Sequence, residues 1–231
     1  MPTDLLSRMN DPWPRGRSCS AGMDERPSIS AVKAGSRRLP RSERQAQIVD
    51  ATLRLVATYG VQGTTTARIA ATVGVSEPAL YRHFANRKEM LVAALEVVFD
   101  RVLEAVTFSQ EGNALERLRR IGEYHSDTLS SDTPWFVSPL FDFVVAPAQE
   151  GLRDHVRTLS LRTAGAVASV IEEGKAEGSI RADVDAQRVA LRVMAFFWSE
   201  DVAYLMGLPE FVTTGLSKET LEGVLAEIAT V

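Results

Sequence analysis

"TTTARIAATVGVSEPALYRHFANRKEML", residues 64–91, packs a glycine turn, several candidate helix caps and a group of cations between short apolar repeats. Thr65 is placed to cap a short helix carrying Ile69, Ala70 and Val73. Gly74 ends that helix, because glycine enters the left-handed backbone region without steric cost. Ser76 is placed to cap a second short helix, in which Pro78 falls in the first turn, where a missing N–H removes no hydrogen bond, and Leu80 and Phe84 supply the buried side. Two short helices joined through "VGVS" cross steeply, and such a helix-turn-helix can lay its second helix in the major groove of DNA. The alternative is a helical hairpin in a core, which has no need of so many cations around its turn.

Working outward, the spacing of Ile48, Ala51, Thr52, Leu55, Val56 and Tyr59 predicts an amphipathic helix from about Ser42 to Tyr59, stopped at Gly60. Asn86 with Glu89 makes a box-like cap for a longer helix running to about Phe108. Further helices are expected at about Asn113–Ser130, Pro134–Val145, Gly151–Glu177, Asp185–Met206 and Ser217–Ala229. "GSIRADVD", residues 178–185, is a loop, with Gly178 as a stop and Asp185 as the next cap. No stretch alternates between hairpin turns, so the expected fold is all-α: an N-terminal three-helix helix-turn-helix domain and a larger C-terminal helical domain. Residues 1–35 are rich in Pro, Gly, Ser and Arg without periodicity and are expected to be a disordered tail. The proposed division is 1–35, 36–90 and 91–231, and Met23 stands as an alternative start.

The chain of 231 residues carries a net charge of −4, so attraction to a polyanion must come from clustering. Between Ser36 and Met90 nine Lys or Arg stand against four Asp or Glu, about +5, leaving about −9 elsewhere. Lys33, Arg37, Arg38, Arg41 and Arg44 form a basic arm ahead of the first helix, read either as a solvated linker or as an arm that touches phosphate or a minor groove. One cysteine, Cys19, excludes an internal disulfide framework and a CxxC zinc site and fits a reducing, cytoplasmic setting. The most apolar run, "ALRVMAFFW" at 190–198, is broken by Arg192 and closed by Glu200 and Asp201, so no membrane partner is expected. His83, His125 and His155 lack metal-ligand spacing. Neither a nucleophile elbow nor a phosphate-binding glycine loop is present, so no catalytic residue, metal or cofactor is expected. The pairs His125 with Asp127 and Asp154 with His155 read as solvated helix faces. An all-α enzyme with a dispersed site is the least supported alternative.

Residues 44–91 resemble the DNA-binding domain of the TetR family of bacterial transcriptional regulators. The resemblance is carried by "IxxAxxxLxxxxG" at Ile48–Gly60, "TTxxxIAxxxGVS" at Thr64–Ser76, "LYxHF" at Leu80–Phe84 and a basic residue before the fourth helix. It implies that Thr65 meets a phosphate, that Tyr81 and His83 clamp the backbone, and that Arg87 stands where the family usually has lysine. Glu77, Pro78 and Ala79 fill the base-reading positions and depart from the commoner Lys-Gly-Thr pattern. With Arg41, Ser76, Arg82 and Lys88 these complete the expected DNA-binding set, whose partner is a double-stranded, palindromic operator.

In the second domain the helix from Asp185 is apolar on two faces, with Leu191, Met194, Ala195, Trp198, Val202 and Leu205 on one and Val193, Phe197 and Tyr204 on the other. It is either the centre of a monomer or covered by a second copy. A palindrome needs two reading heads and favours the homodimer, and the resemblance implies a four-helix interface from the last two helices. The expected interface residues are Leu191, Met194, Trp198, Val202, Leu205, Leu221 and Leu225. Phe108, Tyr124, His125, Trp135, Phe141 and Phe143 are the candidate lining of a small-molecule site, read either as ordinary core or as an inducer pocket. The expected function is a ligand-responsive regulator, a repressor released by its inducer. The alternative is a DNA-bound factor whose second domain recruits a protein.

Overall fold

The structure is a computed structural model that describes residues 39–107, 111–130 and 137–230. The tail, Lys33, Arg37 and Arg38 of the arm, Phe108 and Trp135 lie outside the described residues, as does the expected start of a helix at Pro134. The helices in chain order are α1 (Arg41–Gly63), α2 (Thr66–Val73), α3 (Glu77–Leu80), α4 (Arg87–Thr107), α5 (Ala114–Leu129), α6 (Val137–Val144), a single 3-10 turn (Ala148–Glu150), α7 (Arg153–Glu177), α8 (Ala186–Leu205), α9 (Glu210–Thr213) and α10 (Leu216–Ile228). Among the described residues the only β pairing is an isolated bridge, Ile180 with Ala229. No described helix is long and apolar enough to cross a membrane. The fold is all-α.

Local chemistry sets the ends of the first helices. Regular turns of α1 stop where Gly60 takes φ 68° and ψ 174°, a conformation open to glycine. Thr65 accepts the Arg68 amide at the start of α2, and Gly74, at φ 74°, closes it. Ser76 has the extended backbone of a cap, but its hydroxyl makes no cap bond, so the expected side-chain cap is absent. The third helix is also shorter than the pattern suggested, ending at Leu80 and continuing to Phe84 only as turns. At α4 Asn86 accepts the Glu89 amide at 2.9 Å while the Glu89 carboxylate accepts the Ala85 amide at 2.7 Å, a capping box shifted by one residue. Asn113 and Glu116 form a true capping box on α5.

Three apolar clusters organise the molecule. Ile48, Leu55, Ile69, Ala70, Leu80 and Met90 form the core of the helix-turn-helix unit. Leu53, Val56 and Val61 sit on the other side of α1 and pack with Leu91, Leu95, Val98 and Phe99 of α4 and with Val137, Leu140 and Phe143 of α6. The first helix is therefore shared by both parts of the chain. The third cluster joins α5, α7, α8 and α10 and includes Leu118, Val167, Ile171, Val193, Met194, Leu221 and Leu225.

That third cluster alters part of the expected interface. Leu191, Trp198, Val202 and Leu205 are exposed, as a partner face requires, at 40–47% of their surface. Met194, Leu221 and Leu225 are instead buried within the subunit. Leu221 packs so closely on Gly122 of α5 that a Cβ there would collide with it. A helical stripe identifies a buried face without saying whether its cover comes from the same chain.

Candidate nucleic-acid interface and ligand cavity

Around α3, Thr65, Ser76, Glu77, Pro78, Tyr81 and Arg82 are exposed and Ala79 is half-buried. Thr66 donates to the Glu77 carboxylate at 2.6 Å, which ties the start of α2 to the start of α3. Arg41, Arg44, Arg82, His83 and Ala79 share one shallow concavity between α1 and α3. Gln45 donates to the His83 carbonyl at 3.1 Å, and the ring Nδ1 is buried without a hydrogen bond. Burial, followed by the positive charges of Arg41, Arg44 and Arg82, lowers the His83 pKa below its ordinary value. The result is a neutral imidazole beside three guanidinium groups, a surface suited to phosphate oxygens. Arg44 belongs to this group although the sequence placed it only in the arm.

Arg87, expected among the DNA contacts, is engaged within the chain. Its Nε donates to the Thr64 carbonyl at 2.6 Å, a second nitrogen donates to the Val61 carbonyl, and a third lies 2.6 Å from a Glu150 carboxylate oxygen. The side chain is thus engaged within the protein, tying the turn after α1 to the 3-10 turn before α7. Lys88 is exposed and runs alongside Gly151 at the same junction. The motif gave the charge of Arg87 but not its direction, because its carboxylate partner lies 63 residues away.

In the second domain, α4, α5, α6, α7 and α8 enclose a cavity of about 380 Å³. Its walls are mostly apolar, with Phe99, Val102 and Ala105 from α4, Leu140, Phe141 and Val144 from α6, and Met194, Phe197, Trp198 and Val202 from α8. Tyr124 and His125 line it as the sequence suggested, together with Phe141. Phe143 does not. It is 1% exposed and points to the other side of α6, against α1 and α4. Met194, Trp198 and Val202, assigned to a dimer face, also contribute to the wall.

The solvated pairing expected for His125 with Asp127 is replaced by a buried charge cluster. His125 Nδ1 lies 2.7 Å from Glu200 Oε2 and Nε2 lies 3.2 Å from Asp201 Oδ1. Glu200 is fully buried, and its other oxygen accepts hydrogen bonds from Ser126 at 2.6 Å and from Ser217. Burial alone would lower the His125 pKa, but its hydrogen bonds to Asp201 and Glu200 and their charges outweigh that and raise it to about 9. The ring is therefore protonated at neutral pH, and it packs 4.7 Å from the Phe197 ring. In the sequence Glu200 and Asp201 looked like the polar end of an apolar run. Their absence of spacing from His125, 75 residues earlier, left no local signal.

A helix-turn-helix unit with a cationic concavity is joined through a shared helix to a helical region that encloses an apolar cavity. Residues 48–95 match the model of "Bacterial regulatory proteins, tetR family". The chain is 27% identical over 164 residues to the nucleoid occlusion factor SlmA of Vibrio atlanticus, covering 70% of this chain and 82% of that one. The same factor from Salmonella paratyphi B matches at 37% over 83 residues, which is 35% of this chain and 42% of the relative. Among solved structures, a TetR-family regulator from Rhodococcus sp. superposes with a TM-score of 0.64 at 25% identity, covering 80% of this chain and 96% of that one. The regulator FadR from Bacillus subtilis, solved in complex with stearoyl-CoA, superposes with a TM-score of 0.63 at 18% identity, covering 79% and 98%. Residues 48–95 of the chain are thus similar to the DNA-binding unit of TetR-family regulators, and the described residues share the fold of such regulators. Both of these solved structures are transcriptional regulators.

Proposed function

We propose that the chain acts as a homodimeric repressor on a palindromic operator and is released when an apolar small molecule occupies the cavity. The reading head is residues 36–90 and the control domain residues 91–231. The observation that carries this reading is the place of α6 between two surroundings: Leu140 and Phe141 line the cavity, and Leu140 also belongs, with Val137 and Phe143, to the cluster that contains Leu53, Val56 and Val61 of α1. A molecule that pushes on one side of α6 displaces the seat of the reading head on the other. The Arg87–Glu150 contact fastens a second point of the same junction. A ligand that prefers the displaced arrangement lowers operator affinity by its difference in affinity for the two shapes.

Exposed Leu191, Trp198, Val202 and Leu205 on α8, with Leu216 on α10, support the dimer. Two reading heads then address half-sites about 34–36 Å apart or a multiple of that spacing. Thr65, Tyr81, Arg82, His83 and Arg41 are the proposed phosphate contacts, Ser76 to Ala79 the base-facing edge, and Lys88 a peripheral cation. That the structurally similar FadR holds stearoyl-CoA, whose acyl chain is apolar, agrees with an occupant that carries a long hydrocarbon part. The test is selection of bound fragments from a randomised duplex library by the purified chain. Recovery of one palindrome carries the proposal, and recovery of unrelated fragments overturns it.

A second reading is favoured by the similarity to SlmA, a nucleoid occlusion factor, and by Met206 and Leu208, which continue the exposed apolar strip beyond α8. In that case the DNA-bound chain recruits another protein, and filling the cavity leaves operator affinity unchanged.

A further inference from the structure

Among the described residues the cavity has a chemical asymmetry beyond its apolar walls: one buried acid, Asp201, faces it, beside the hydroxyls of Tyr124, Thr128, Ser160 and Thr163, which can donate or accept. Thr128 and Thr163 line it, yet their hydroxyl hydrogens are directed to the Tyr124 carbonyl at 2.7 Å and the Leu159 carbonyl at 3.2 Å of their own helices. Both ring nitrogens of His125 face carboxylates, Glu200 at 2.7 Å and Asp201 at 3.2 Å. Ser126 and Ser217 both donate to Glu200. The cluster therefore holds two carboxyl groups against one imidazole. Arg101, the other cation on the wall, is exposed.

Asp201 is the group left incomplete. It is 2% exposed, lines the cavity, and its Oδ1 has, among the described residues, only the 3.2 Å contact with His125 Nε2, from a ring it shares with Glu200. A buried carboxylate so sparsely supplied with donors gains from a further one. Two carboxyl groups share one imidazole there, and the apolar surroundings strengthen the pull of Asp201 on a cation. A ligand acid placed at the same point would meet the Asp201 oxygen, with both His125 nitrogens already turned to carboxylates.

We propose that the molecule this cavity selects is an apolar amine, whose protonated nitrogen donates to Asp201 Oδ1 while its hydrocarbon part fills the space between Phe99, Phe141, Phe197 and Trp198. The inference rests on the cavity being the ligand site and specifies the chemistry of its occupant. It assigns Asp201 as the residue that sets head-group preference.

The experiment is calorimetric titration of the full chain at neutral pH with three ten-carbon probes: decylamine, decanol and decanoate. Decylamine is expected to bind about tenfold or more tighter than decanol, the increment of one charge-assisted hydrogen bond, with decanoate weakest. Asp201→Asn should remove most of the amine's advantage and leave decanol within about twofold, since the transfer of the hydrocarbon tail is unchanged. Decanoate binding as tightly as decylamine overturns the proposal, as does an amine advantage that survives in Asp201→Asn. The wild-type ranking of the three probes needs no variant to fold. Decanol separates the two levels of the argument. If it binds and is displaced by the cavity-filling Ala105→Trp change while the amine shows no preference, the cavity reading stands and the head-group inference falls. If none of the three binds, both fall.

Discussion

The reading head and the control domain are held together by contacts of very different range. In the head, Thr65 accepts the Arg68 amide three residues on, Asn86 accepts from Glu89, and Gly74 turns the chain within one residue. In the control domain the decisive contacts are His125 with Glu200, Ser126 with Glu200 and Arg119 with Glu222, spanning 74 to 103 residues. Short-range chemistry makes a rigid unit that can be read from spacing, whereas long-range polar contacts in an apolar surround make a site whose shape depends on the whole bundle. Recognition of DNA, a repeating polyanion, is served by the first kind. Discrimination of a small molecule is served by the second.

The largest expected effect lies in the long-range network. Glu200→Ala leaves His125 charged and buried beside one acid and strands two serine hydroxyls, at a cost of roughly 3–5 kcal/mol. Urea denaturation would register it, and a loss below about 1 kcal/mol would mean the cluster is not the anchor of the control domain. Leu80→Ala removes a fully buried side chain from the head's own core and should cost about 2–4 kcal/mol. Its distinguishing mark is DNA binding lost with cavity binding retained. Loss of both would show that the shared helix α1 makes the two regions one cooperative unit.

Arg87→Ala is next, at about 1–3 kcal/mol, because two carbonyls and the Glu150 carboxylate lose their donor. Since its guanidinium is engaged inside the protein, the salt dependence of DNA affinity should keep its slope, whereas Arg82→Ala should reduce the slope by about one. A lowered slope for Arg87→Ala would return that residue to the phosphate contacts. The effect of pH is spread over a wide window. His125 titrates near 9 in the folded chain against an ordinary 6.5, so its stabilising contribution is complete below about 6.5 and is lost as pH rises through about 9. The urea midpoint should fall across that window. A flat profile would place His125 outside the cluster's charge balance.

What the sequence could disclose follows the same division. Gly60, Thr65, Gly74 and the density of cations in this region were legible because cap chemistry, left-handed glycine and charge density act locally, whereas the grouping of Arg44 with Arg82 was not. Ser76 had the right residue type, yet only the backbone of a cap formed. Phe141 and Phe143 are two residues apart in one short helix and face opposite ways, toward the cavity and toward α1, which composition alone does not separate. Met194 and Leu221 carried the apolar stripe of an interface but are covered from within, by helices whose approach is set by Gly122. Glu200 and Asp201 read only as the polar end of an apolar run, since a buried acid and a solvated one are the same letter.

The central claim is that the cavity and the reading head are mechanically joined through α6. Its most direct test is the affinity of the wild type and of the Ala105→Trp variant for the palindrome recovered by selection, measured at several salt concentrations. The account predicts that filling the cavity weakens operator binding about tenfold or more while the salt slope stays the same, a coupling on the scale of 1–3 kcal/mol. Equal affinities for the two proteins would contradict it.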